Sequence, residues 1–88
     1  MISNRSEVFA AIETERSYQK ERWGSEGEKH SNLEYLVYIR DYVEEALHRL
    51  SRVSDAECVY PTQDSLRKIA ALAVAAQEVN GVRVRGAR

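Results

Sequence analysis

The chain holds one cysteine, one proline and four glycines in 88 residues, and what is scarce narrows the field first. The lone Cys58 leaves no partner for an intrachain disulfide and fits a reducing cytoplasm. No apolar run approaches the ~20 residues that a helix needs to span a bilayer, so no membrane partner is expected. The opening Met1-Ile2-Ser3-Asn4-Arg5 lacks the apolar segment of a secretory signal. A formal charge of −1 gives no general pull towards nucleic acid or anionic membrane. Also missing are a glycine-rich phosphate loop, a Ser-His-Asp order, Cys-His zinc spacing and a helix-turn-helix signature. The expectation is a soluble, cytoplasmic protein with neither a membrane nor a nucleic-acid partner.

Eighty-eight residues make a single domain, 1–88. A chain this short buries only about 60–65% of its unfolded surface, so self-association is the expected remedy. Charge is unevenly placed. The tail 82–88 is basic, while the middle helix carries Asp41, Glu44 and Glu45.

Periodicity predicts three helices and no strand of useful length, an all-α fold. The first spans about 4–23, starting after Ser3 or Asn4 and ending at Trp23 with Gly24 as the stop. A polar loop, Gly24 to His30, follows. Ser31 and Glu34 form an S-x-x-E capping box that opens a second helix over about 32–52. Its apolar residues Leu36, Ile39, Val43, Ala46, Leu47 and Leu50 line one face, widened by Tyr35 and Tyr42. Ser54 to Gln63 reads as a loop holding Pro61. Thr62 or Asp64 caps a third helix over about 64–79, closed by Asn80-Gly81. Its centre, Ile69 to Ala76, is small and apolar nearly all round, which marks it as the central helix or an oligomer interface. The three-helix unit is expected to complete its bundle by homo-oligomerisation.

Two polar residues interrupt an apolar stripe on the first helix. Phe9, Ile12, Arg16, Gln19 and Trp23 recur at helical steps and share a face. An unpaired amide buried there would cost roughly 2–7 kcal/mol, so Arg16 and Gln19 must meet partners. Those partners are either protein carboxylates or an anionic, hydrogen-bonding ligand. Arg16, Gln19, Arg22, Trp23 and His30 cluster at the end of this helix and in the loop behind it. Arginine offers a donor fork suited to phosphate, and an indole can stack on a nucleobase. Tyr18 falls on the opposite face from Arg16 and serves a subunit contact or a shared ligand. Lys68 lies in line with Leu72, Ala75 and Val79, which buries its stem and aims its ammonium, either to the helix start or, beside Arg67, to a phosphate. Asp41, Glu44, Glu45 and His48 share the polar side of the second helix at spacings that can present ligands to Mg²⁺ or simply face solvent.

The segment Glu15-Arg16-Ser17-Tyr18-Gln19-Lys20-Glu21-Arg22-Trp23-Gly24, then His30, then Leu66-Arg67-Lys68-Ile69-Ala70-Ala71-Leu72-Ala73 with Glu78, resembles small helical bacteriophage proteins. Those are similar to the all-α nucleotide pyrophosphohydrolase (MazG-like) superfamily. The resemblance implies a helical bundle assembled as a dimer or higher oligomer, with a nucleotide site between helices and subunits. Hydrolases of that group hold Mg²⁺ with Glu-x-x-Glu on one helix and Glu-x-x-Asp on a later one. Here Asp41-x-x-Glu44 is the nearest first half, and the second half is absent, because the third helix opens with Arg67-Lys68 and continues in alanines. Carboxylates recruit the metal that activates water, whereas arginine and lysine bind phosphate directly.

The expectation is therefore a non-catalytic nucleotide-binding homo-oligomer without a cofactor. Its ligand-binding residues would be Arg16, Tyr18, Gln19, Arg22, Trp23, His30, Arg67 and Lys68. In the phage setting that the resemblance implies, it would act in the host cytoplasm as an anti-defence sponge for a cyclic nucleotide or ADP-ribose-type signal. The first alternative is a divergent Mg²⁺-dependent pyrophosphohydrolase of NTPs or dNTPs, with Asp41, Glu44 and Glu45 on the metal. The second is a structural or adaptor bundle.

Overall fold

The computed structural model describes residues 2–52 and 59–86, which form three helices, α1 (Arg5–Gly27), α2 (Asn32–Leu50) and α3 (Val59–Asn80), with no strand among them. The first half of the expected loop before α3, Cys58 included, and the tail residues Ala87 and Arg88 lie outside the described residues. The fold is all-α.

Local chemistry sets the helix ends. The Asn4 side chain accepts a hydrogen bond from the Glu7 N–H at 2.8 Å, capping α1. Ser31 and Glu34 form the full reciprocal capping box of α2, at 3.1 and 3.0 Å. Gly24 sits at φ +71, ψ 170, a region open essentially to glycine alone, and breaks α1 just after Trp23. The chain then makes one further helical turn to Gly27, so the expected stop is a kink rather than an end. α2 closes at Leu50, two residues short of the expected end. At the far end of α3, Gly81 takes φ +104 and its N–H returns to the Gln77 carbonyl at 2.9 Å.

α3 starts earlier than its periodicity predicts, at Val59 rather than about 64. Pro61 falls in the first helical turn, where its missing N–H would have had no intrahelical acceptor and its fixed φ suits a helix. Thr62 and Asp64 are accordingly inside the helix and not its cap.

α3 is the central element, packing against both α1 and α2, which do not approach each other. Ala71 and Ala75, four apart and fully buried, keep side-chain bulk off its face. The core is Tyr35, Leu72 and Ala75, with Trp23, Ile39, Tyr42 and Ala76 packed round it. The expected apolar stripes are only partly covered. Phe9 is 62% exposed, and Leu36 and Leu47 are 61% exposed, whereas Tyr35, expected merely to widen the α2 face, is its one buried residue. The radius of gyration is 14.4 Å, against about 12 Å for a compact chain of this length. α1 and α2 each pack on α3, and a cleft lined by residues of all three helices remains between them, with Leu72 in its wall.

Candidate functional site

Arg16 and Gln19 are the two buried residues of α1, and they meet different fates. The Arg16 guanidinium donates to the Glu28 carboxylate at 2.7 Å and to Glu78 at 2.5 Å. Glu28 is itself buried, in the connection between α1 and α2. Its carboxyl is held below the usual range by the Arg16 hydrogen bond, against the opposing effect of burial. The same hydrogen bond pushes the Arg16 guanidinium still further above its ordinary value. Tyr35 donates its hydroxyl to the Glu28 carbonyl at 2.5 Å, and Asn80 donates to the His30 carbonyl at 2.9 Å. The elbow before α2 is thus pinned from α1, α2 and α3.

Gln19 finds no such partner. It is 5% exposed, and its Oε1 has no hydrogen-bond partner. A buried unmatched acceptor is costly, on the order of 1–3 kcal/mol, and in native proteins tends to mark a site. Gln19 lines a hollow of about 290 Å³ together with Glu15, Tyr18, Arg22, Trp23, Tyr42, Lys68 and Leu72, and the Glu15 carboxylate there is taken up by Arg67 at 2.8 Å. The Lys68 ammonium lies 5.8 Å from the centroid of the Tyr42 ring, within cation–π range. No ion pair among the described residues occupies Lys68 or Arg22, so their charge is unspent.

A second hollow, of about 340 Å³, adjoins the first across Trp23, Tyr42 and Leu72, which line both. Its remaining walls are Gly27, His30, Tyr38 and Asp41. The His30 ring stands edge-on to Tyr35 and Tyr38, at centroid distances of 5.5 and 5.3 Å, and its Nδ1 is 3.4 Å from Glu34. Asp41 forms no ion pair among the described residues. Trp23 and Tyr42 therefore divide one cleft into a cationic half and an aromatic half that carries an acid.

Of the eight residues expected to bind ligand, five meet in the cationic half: Tyr18, Gln19, Arg22, Trp23 and Lys68. His30 lies in the other half. Arg16 and Arg67 line neither. Arg16 is taken up by Glu28 and Glu78, and Arg67 is held by Glu15 and Asp64 at 2.8 and 2.7 Å. Both guanidinium groups have raised proton affinity from those acids and serve to join elements rather than to meet an anion. The carboxylates of the alternative Mg²⁺ reading do not converge. Asp41 faces the aromatic hollow, Glu44 is 3.8 Å from Arg40, and Glu45 is 3.3 Å from Arg49. Among the described residues no three His, Cys, Asp or Glu side chains group as a metal would require.

Comparison with protein-family models, with curated proteins and with solved structures gives no match for this chain. The site is thus defined by its own geometry. Tyr38 and Tyr42, four apart on α2, are the wall residues that sequence reasoning missed as ligand contacts. The signal was present, because Tyr35, Tyr38 and Tyr42 form an aromatic ladder at helical steps with Asp41 beside it. Glu28 was missed as well. A buried arginine demands a carboxylate, but nothing in a polar loop marks which acid turns inward.

Proposed function

We propose that the chain binds a nucleotide in the cleft between α1 and α2 and does not hydrolyse it. The observation that carries this reading is the buried, unpartnered Gln19 Oε1 on a wall shared with Lys68, Arg22 and Trp23. An amide acceptor, two unspent cations and an indole meet three demands of a nucleotide: a hydrogen-bond donor to receive, phosphate charge to neutralise and a ring to stack on. Lys68, a cation where a hydrolase would place a carboxylate, favours binding phosphate without activating water. In its narrower form the proposal is sequestration of a nucleotide signal, such as a cyclic dinucleotide or an ADP-ribose derivative. Kinship with the MazG-like group belongs to the same proposal and rests on the motif likeness. Self-association belongs to it too, supported by the exposed Phe9, Leu36, Leu47 and Leu66 and by a radius of gyration large for the chain length.

The test is calorimetric titration with nucleoside monophosphates, triphosphates, ADP-ribose and cyclic dinucleotides, with and without EDTA, followed by chromatography of the ligand released on denaturation. Binding that survives EDTA, ligand recovered intact, and a loss of about tenfold or more in affinity in Lys68→Met are expected, since a charge-assisted contact is removed. Conversion to monophosphate would replace this reading with the pyrophosphohydrolase. Failure of every nucleotide to bind would leave the adaptor bundle.

A further inference from the structure

The two halves of the cleft differ in charge, and the difference orients the ligand. Lys68 and Arg22 share their half with Glu15, whose carboxylate is already paired with Arg67 at 2.8 Å, whereas the aromatic half holds the unpaired Asp41 carboxylate and a histidine already beside Glu34. A phosphate placed in the aromatic half would meet Asp41 and be repelled. The phosphate therefore belongs beside Lys68, with the ribose hydroxyls left to donate to Gln19 Oε1, and the planar base belongs across Trp23, among His30, Tyr38, Asp41 and Tyr42. At about 340 Å³ this hollow falls at the lower end of the roughly 300–1,000 Å³ typical of small-ligand pockets, a size for a base rather than a whole nucleotide.

Asp41 then decides which base. An ionised carboxylate only accepts hydrogen bonds, through two oxygens side by side. Guanine presents two adjacent donors on one edge, N1–H and the N2 amino group, which match those oxygens in a bidentate pair. Adenine and cytosine offer a single amino group flanked by a ring-nitrogen acceptor, which would face a carboxylate oxygen with no proton between them. Uracil and thymine offer one N–H between two carbonyls, with the same conflict. We propose that the cleft selects guanine nucleotides, with Asp41 reading the N1–H and N2 amino edge of a base held in the aromatic half and Lys68 taking the phosphate. This rests on the nucleotide-binding reading and adds the identity of the base.

Trp23 is the only tryptophan of the chain and lines both halves, so its fluorescence reports occupancy directly. Titration of the full-length chain with GMP, IMP and AMP is the test. IMP keeps N1–H but lacks the N2 amino group, and AMP lacks both donors. GMP should bind tighter than AMP by about tenfold or more, with IMP between them, as a good bidentate base contact provides. Asp41→Asn replaces one acceptor by a donor at an exposed, unpaired position, with little demand on the fold. It should abolish the guanine preference, weakening GMP while AMP binds as well or tighter, because the new amide donor can meet the adenine ring nitrogen. Equal affinities for GMP and AMP, or a guanine preference that survives in Asp41→Asn, would overturn the inference while leaving nucleotide binding intact. If none of the three bound, the inference would fall, and the reading beneath it would fall too only if triphosphates, ADP-ribose and cyclic dinucleotides also failed to bind.

Discussion

Replacing Arg16 by methionine takes a cation from between two acids and should unfold the protein at a much lower temperature without touching the cleft. Arg16 is 6% and Glu28 5% exposed, so neither end of that pair can be rescued by water without local opening. Removing one partner of such a buried pair costs about 3–5 kcal/mol, most of it from the charge left behind. Glu78 adds little, because its side chain is 48% exposed and hydrates. Methionine preserves much of the unbranched stem, so the loss reads mainly charge and not a cavity. For a domain of this size each kcal/mol moves Tm by about 4–8 °C, and the expected fall is at least about 12 °C, followed by the helical circular-dichroism signal. Adding Glu28→Gln to Arg16→Met removes the stranded charge and should recover part of that loss. Nucleotide affinity, measured where the variant is still folded, should not change. A fall in Tm below about 4 °C would refute the reasoning, as would single-variant losses that simply add in the double variant.

Acid should destabilise the fold in a defined window. Glu28 has its folded-state pKa lowered from an ordinary 4.5, chiefly by Arg16. The stability it contributes is complete above that ordinary value and is lost as pH falls through the lowered one. Tm should accordingly be flat with respect to this group at neutral pH and drop below about pH 4.5, and Glu28→Gln should flatten part of that acid limb. Gly24→Ala should lose about 1–3 kcal/mol in denaturant titration, because Cβ is forced into the glycine-only region although the space around it is open. Ser31→Ala should lose about 0.5–2 kcal/mol by removing the cap of α2, and a loss no larger than experimental error would show that the capping box does not anchor that helix.

The three helices, the Asn4 and Ser31 caps and the Gly24 break are legible in the sequence because each depends on neighbours three or four residues away. The same holds for the polar pair in the α1 stripe, where Arg16 and Gln19 are the buried residues of that helix. What periodicity cannot supply is the choice of partner across 62 residues, the distance from Arg16 to Glu78. Nor does it rank stripes. A row such as Leu36, Val43 and Leu47 looks like core on a helical wheel, yet all three are exposed, and it is Tyr35, Ile39 and Tyr42 that join the Leu72–Ala75 core. The start of α3 was hidden for a different reason: proline reads as a breaker unless its place within the first turn is known.

The way α1 is held determines the order in which the molecule comes apart. Its buried residues are polar, and the Arg16–Glu78 and Glu15–Arg67 contacts that tie it to α3 close loops of more than fifty residues. α2, by contrast, sets Tyr35 directly into the Leu72–Ala75 cluster. Native-state hydrogen exchange should therefore find α1 opening as a unit ahead of the α2–α3 hairpin, at a lower free energy than global unfolding. In folding the order is reversed, with the hairpin formed first and α1 docking last, after the costlier loop closure. One wall of the cleft thus rides on the least firmly held helix. A molecule bridging Gln19 on α1 and Tyr42 on α2 would slow exchange most strongly in α1, far more than in the helices that are already locked.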